Sequence, residues 1–239
     1  MRSNNTYART MAALMVMLFL TLIAATQTSA QISGLRVVVN LPGHTLRVYE
    51  HGILKREFPV AIGATSAPTP VGITTVKNRV ENPVYYPPNW GELGLEPVPP
   101  GPDNPVGSVW IGLEWPGYGI HGTNAPSSIG RTVSLGCIRM HNRHVEELYT
   151  IVRVGTPVEI AYNVVELISL ADPWPSLRIH ADVYNRKPDY FQEAARLLYP
   201  LGIWELVDED ALRQQIEARP DSPFLVPRRG SDSTLRKAQ

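Results

Sequence analysis

The sequence is nearly free of cysteine: Cys137 is the single thiol in 239 residues. No disulfide can close within the chain, and no zinc site built on several thiolates is available. Charge of either sign is not in excess, with 22 basic against 22 acidic residues. That balance argues against a nucleic-acid partner and against polybasic attachment to acidic lipid. Past residue 30 there is no apolar run long enough to cross a bilayer, which takes roughly 20 residues.

Apolar residues do gather at the start of the chain. Arg2 and Arg9 flank the beginning of an almost unbroken apolar run from Met11 to Ala25, and Thr28, Ser29 and Ala30 follow as the small residues of a cleavage site. This is the pattern of a secretory signal over 1–30, with a mature chain from Gln31 and export to the periplasm or cell wall. If uncleaved, the segment is the expected membrane attachment. A lipid anchor at the cleavage point needs a cysteine there, and Cys137 is far away. In an oxidising compartment cysteine is normally half of a disulfide. A lone one is therefore a reactive thiol or a small buried hydrophobe, and the count alone does not choose.

Hydrophobic residues make up 44% of the chain, enough for a core, while 22 prolines and 18 glycines favour strands and loops over long helices. Strand signals run through LRVVVN (35–40), LRVYE (46–50), LKREFPVAI (54–62), GITTVKNRV (72–80), SVWIGL (108–113) and YGI (118–120). Glycine and proline turns separate them, and His44 and His51 fall in such turns, where solvation is expected. The spacing predicts a mainly β fold over 35–161, a β-sandwich or barrel-like sheet. Segment 81–107 stands apart, with eight prolines in 27 residues together with Tyr85, Tyr86 and Trp90. A loop of this length is a functional lid or disordered, and the aromatics favour an ordered flap.

After the cysteine, Asn142 reads as the N-cap of a helix carrying Val145, Leu148, Tyr149 and Val152 at helical spacing. PVEIA (157–161) reads as a closing strand. Over 162–227 the pattern becomes a small α+β appendage. It has a strand in LRIHADVY (177–184), a helix from an Asp189/Gln192 capping box to Pro200, a helix over 208–219 and a short strand in PFLVP. The polar tail 228–239 reads as disordered.

A nucleophilic thiol needs a base. His121 is the best placed of the six histidines. It ends the YGI strand sixteen residues before Cys137, and Gly122 after it allows close backbone approach. His141 is the second choice. A metal site joining Cys137, His141 and His144 matches no common ligand spacing, so no metal is assigned. Gly136 permits a tight turn whose N–H groups could form an oxyanion pocket, with Ser134 holding that turn. Arg139, two residues past the thiol, shares its direction in an extended segment. It is expected either to bind a substrate carboxylate or favour the thiolate, with Ser134 and Tyr118 also assigned to the substrate site, or to form a structural ion pair. A catalytic thiol of this kind is expected to alkylate quickly at neutral pH.

YGIHGT, SIG, SLGCIRM and VEELYTIVRVGTPVEI resemble the L,D-transpeptidase catalytic domain, the YkuD-type family, as do TPVGIT (69–74) and NPVG (104–107) in the expected order. The resemblance covers about Leu35 to Ala161, and the appendage is similar to extensions of the ErfK/YbiS group. It implies a peptidoglycan enzyme with Cys137 as the acylated nucleophile and His121 as base. The Gly122 carbonyl would orient the imidazole, Gly136 and Cys137 would supply the oxyanion hole, and Arg139 would lie in the substrate site. Leu135 stands where many members carry histidine or glutamine. The implied reaction attacks a stem peptide at the L-centre of its third residue, releases D-Ala and leaves a thioester. The acceptor would be an amine of another stem, giving a 3–3 cross-link, or of an outer-membrane lipoprotein, or else water. No cofactor is implied, and carbapenem acylation of Cys137 is.

Two other readings compete. A sortase-like transpeptidase also runs His, Cys, Arg, but its arginine usually lies on another strand. A non-catalytic wall-binding protein on the same fold would have no need of both His121 and Cys137.

Overall fold

The computed structural model describes residues 34–168 and 174–230. The signal reading of 1–30 and the tail beyond Gly230 lie outside those residues. In chain order, the first strands are β1 (Leu35–Asn40), β2 (Thr45–Glu50), β3 (Ile53–Pro59), β4 (Ile62–Gly63) and β5 (Gly72–Glu81). After the proline-rich segment come β6 (Val109–Leu113), β7 (Gly119–His121), β8 (Thr132–Ser134), β9 (Ile138–Arg139), helix α1 (Asn142–Ile151) and β10 (Pro157–Ala161). The chain then forms β11 (Val165–Ile168), β12 (Ser176–Ile179), α2 (Tyr190–Leu198), α3 (Glu209–Ala218) and β13 (Phe224–Leu225).

The protein is mainly β, built on a curled eight-stranded sheet in the order β3-β2-β1-β10-β5-β6-β7-β9. β1 pairs antiparallel with β2 across a tight turn and parallel with β10, which the whole site-bearing segment separates from it in sequence. The two ends of the sheet approach each other. Ala61, just past β3, exchanges both backbone hydrogen bonds with Arg139 on β9, each 2.9 Å. Beside this join, β4 pairs with β8. Strand alternation explains the core: Val37, Val39, Leu46 and Val48 are fully buried from β1 and β2, with Leu148 from α1. Burying one such side chain is worth about 1.5–3 kcal/mol.

A second hydrophobic cluster lies in the C-terminal part, where β11, β12 and β13 form a small sheet. It packs Leu177, Ala194, Leu198, Val207 and Leu212 together. Both helices there begin at aspartate caps, as Asp189 accepts from the Gln192 N–H and Asp208 from the Ala211 N–H, each at 3.0 Å.

Several sequence expectations are corrected. The strand of 54–62 breaks at Pro59, which has no N–H to continue a ladder. The strand in 177–184 covers only Ser176–Ile179. Beyond Ile179 the chain enters a turn with left-handed Asn185 and Lys187 (φ +53° and +54°), held because Asp182 accepts from the N–H groups of both Arg186 and Lys187. Asn142 is the first helical residue of α1, not its cap; His141 occupies the cap position without a side-chain bond. Arg228 and Arg229 are ordered: Arg228 bridges Val207, and the Arg229 N–H reaches the Leu206 carbonyl at 2.8 Å.

Candidate active site

Two short strands, β7 and β9, position the candidate groups. β7 ends on His121, which pairs with Trp110 on β6 and with Arg139 on β9, so the sheet grips it from both sides. Its ring stacks on Trp110 at 5.7 Å between centroids. The His121 Nδ1–H donates to the Gly122 carbonyl at 2.6 Å. A carbonyl only accepts, so the proton sits on Nδ1 and Nε2 keeps its lone pair. Across the same peptide group, the Thr123 N–H donates to the Asn142 side chain at 2.9 Å. A β-carbon at Gly122 would come within 2.1 Å of that Asn142 oxygen, so only glycine permits the arrangement. Freed from capping, Asn142 fixes the peptide that orients the imidazole. Its spacing to the helix pointed to the wrong partner.

The thiol sits at the end of a turn from Ser134 to Cys137. The Ser134 hydroxyl donates to the Cys137 carbonyl at 2.5 Å and accepts from the Gly136 N–H at 3.1 Å. Gly136 is left-handed (φ +105°), and a side chain there would meet the Tyr118 ring at 2.8 Å. Two expectations change. The Gly136 N–H is already engaged by Ser134, so it is not available to an oxyanion. Tyr118 packs behind the turn, edge-on to Trp115, and does not line the cavity.

A cavity of about 490 Å³ opens in front of this turn. Cys137, His121, Arg139, Ser134 and Trp110 line one side. The proline-rich segment lines the other, through Pro83, Val84, Tyr85, Tyr86 and Pro88. Leu135 stands at the edge, 69% exposed, where it adds an apolar rim. The flap is ordered by Asn104, fully buried, whose amide donates to the Pro83 carbonyl at 2.8 Å and whose oxygen accepts from the Val106 N–H. Tyr85 and Val98 exchange backbone hydrogen bonds across it. Proline count signalled the flap; nothing in the pattern singled out Asn104 or Trp110.

Burial dominates the electrostatics. His121 is 4% exposed, and desolvation pulls its pKa down to about 4; the Gly122 hydrogen bond opposes this and the Arg139 charge adds to it. Desolvation also pushes the Cys137 thiol up, against the Gly119 amide and the Arg139 charge. Both shifts favour the neutral forms of the pair. Arg139 Nε is buried without a hydrogen-bond partner. No ion pair holds that guanidinium, so among the described residues the structural ion-pair reading has no partner.

His141 meets His144 edge-on beside α1 and does not line the cavity. His44 is half-buried, bonded to the Thr132 hydroxyl at 3.0 Å, and burial lowers its pKa; it is not the solvated turn residue expected.

A neutral thiol and an imidazole with a free Nε2 in one cavity, behind a strand-bound glycine turn, suit acyl transfer. The family profile of the L,D-transpeptidase catalytic domain, YkuD, matches residues 34–160. The chain belongs to this family. A relative named L,D-transpeptidase YkuD, from Bacillus licheniformis, is 44% identical over 125 residues, 52% of this chain and 64% of that protein. The ErfK/SrfK protein of Escherichia coli, also named as an L,D-transpeptidase, is 38% identical over 144 residues, 56% of this chain and 46% of that protein. The solved catalytic domain of an L,D-transpeptidase from E. faecium aligns at 25% identity with a TM-score of 0.43, over 55% of this chain and 99% of that one. The chain spans less than two thirds of the length of these first two relatives. Within the L,D-transpeptidase match lie His121, Cys137 and Arg139; the residues from Ala161 onward lie beyond it.

Proposed function

We infer that this L,D-transpeptidase-family protein is exported and acts on peptidoglycan stem peptides. The observation that carries the reading is the shared cavity in which Cys137, His121 and the unpartnered Arg139 face the flap. In the proposed reaction, His121 Nε2 takes the thiol proton as Cys137 Sγ attacks the amide carbonyl at the L-centre of the third stem residue. The Cys137 N–H is the remaining backbone donor for the oxyanion. As the intermediate collapses, the imidazolium returns the proton to the leaving nitrogen and D-Ala departs. An amine then attacks the thioester, giving a 3–3 cross-link or a lipoprotein attachment; water would give a carboxypeptidase. Arg139 pairs with a stem carboxylate, and the flap covers the acyl chain. Carbapenems acylate the same thiol. No metal or cofactor enters these steps.

Incubation of the mature chain with defined tetrapeptide muropeptides, followed by mass spectrometry, tests this reading. Loss of D-Ala with dimer or tripeptide formation, absent in Cys137→Ala, is the expected result. Unchanged muropeptides with intact protein would favour a non-catalytic wall-binding role.

A further inference from the structure

The C-terminal part beyond the family match reaches, through a phenol, the loop that lies against the catalytic turn. The Tyr184 hydroxyl donates to the Gly63 carbonyl at 3.0 Å and accepts from the Thr69 N–H at 3.1 Å. The Gly63 N–H in turn donates to the Thr69 hydroxyl at 2.9 Å. One side chain thereby closes the loop from Gly63 to Thr69, and Thr69 is almost fully buried there.

That loop is in backbone contact with the nucleophile turn. A β-carbon on Gly63 would come within 2.9 Å of Gly136 Cα, and within 2.6 Å of the Thr69 nitrogen. The Ala64 N–H donates to the Ser134 carbonyl at 2.8 Å, and Gly63 pairs with Ser134 in the β4–β8 ladder. Ser134 is the residue whose hydroxyl holds both Gly136 and Cys137. The path from Tyr184 to Cys137 is therefore made of hydrogen bonds and closed backbone contact at every step.

Tyr184 is itself fixed. Its N–H donates to the Tyr162 hydroxyl at 2.8 Å, its ring stacks on Tyr162 at 5.7 Å, and Asp182 accepts from Tyr162. Arg186 lies over the Tyr162 ring at 4.2 Å. Two non-glycine residues in left-handed conformation, Asn185 and Lys187, complete the turn that presents it. Backbone of that kind is costly, and persists where surrounding bonds over-determine it.

We propose that Tyr184 is a positioning residue: the C-terminal part uses it as a strut that holds the Gly63–Thr69 loop against Gly136 and so fixes the turn carrying Cys137. The kinetic side of this proposal rests on the transpeptidase reading; the mechanical side does not. Tyr184→Phe removes one oxygen and keeps the ring stack. Leu212→Ala, in the buried cluster of the C-terminal part, is the comparison, because Leu212 makes none of the hydrogen bonds of that path.

Hydrogen exchange of peptides covering 61–69 and 132–140 in the full mature chain reads the result. Tyr184→Phe is expected to speed exchange in both by tenfold or more, whereas Leu212→Ala speeds it only beyond residue 162. Tyr162→Phe, which frees the Tyr184 N–H and the Asp182 carboxylate but leaves the Tyr184 hydroxyl bonded to the loop, should act on the same two peptides more weakly, and it serves in place of Tyr184→Phe if that variant fails to fold. With stem peptide, kcat for acylation should fall about tenfold with KM little changed. Native exchange at 132–140 in Tyr184→Phe, or equal acceleration there in Leu212→Ala, overturns the proposal. If the wild type turns over no stem peptide while the exchange difference persists, the transpeptidase reading fails and the strut stands.

Discussion

His121 ends one strand and His180 follows another, both have little exposure, and they are treated oppositely. His121 sits beside a tryptophan and an arginine, with no carboxylate bonded to it, and burial keeps it neutral. His180 bonds Glu166 at 2.9 Å, and Glu166 also takes a bidentate pair from Arg47 at 2.6 and 3.1 Å. That cluster joins β2 of the large sheet to β11 of the small one. Burial alone would raise the Glu166 carboxyl, but the hydrogen bonds from His180 and Arg47 and the Arg47 charge hold it down to about 2. At the cavity fewer polar groups are spent: the imidazole has an open Nε2 and the guanidinium an orphaned Nε, while the thiol makes only a long contact, 3.5 Å, to the Gly117 carbonyl. Buried polar groups that have partners hold a structure; those without are available to a substrate.

The largest effect should come from the unspent side. Cys137→Ala, His121→Ala and the double variant should each lose acylation by a similar factor of at least about a thousand, because groups acting as one unit are non-additive. Rate measurements on a stem peptide check this, and near-normal acylation by His121→Ala would move the base elsewhere. Melting temperatures should change little.

The paired side should behave in reverse. Glu166→Gln leaves Arg47 buried with only Glu57, and should cost about 3 kcal/mol of stability, the low end for breaking a buried pair. Denaturant unfolding measures it, with acylation by the surviving folded protein unchanged. The pH dependence separates the two regions further. A folded pKa near 2 for Glu166 gives stability that is present above its ordinary value of 4.5 and lost as pH falls toward 2. The lowered pKa of His121 works at higher pH: the unfolded chain binds its proton below about 6.5 and the native site only near 4. Stability should therefore fall as the pH drops through that window, by on the order of 3 kcal/mol from this group, and should not do so in His121→Gln.

Arg139→Lys should lower acylation by the stem peptide roughly tenfold to a hundredfold, since a lysine cannot reproduce a two-pronged pair with a carboxylate. Folding should be nearly unaffected. The smallest effect is expected from Asn142→Ala. It removes one half-buried hydrogen bond, from the Thr123 N–H, and leaves the imidazole's bond to Gly122 in place, so acylation should fall by only a few-fold, about 1 kcal/mol or less. A larger loss would show that the peptide between Gly122 and Thr123 must be held rigidly.

The family's half of the chain was legible because its motifs are local in sequence. YGIHG and SLGCIRM each place a candidate residue on a strand or turn whose neighbours are adjacent in the chain. Proline and aromatics marked out segment 81–107. Contacts between distant segments were not. Asn142 was read through the nearest helix, while its partner Thr123 lies nineteen residues back. Tyr184 was read as part of a strand, yet its partners are 115 and 121 residues away. His44 looked solvated because a turn residue usually is, and only folding brings Thr132 over it. Tyr118 was assigned to the substrate site, but its ring packs against Gly136, a contact that only the folded turn creates.

The most direct test of the active-site assignment is the intact mass of the mature protein after brief exposure to a tetrapeptide stem without an amine acceptor. A thioester adduct of the stem less D-Ala on Cys137, forming at neutral pH and missing in His121→Ala, is the predicted result. Recovery of unmodified protein alongside unconsumed stem peptide would contradict it.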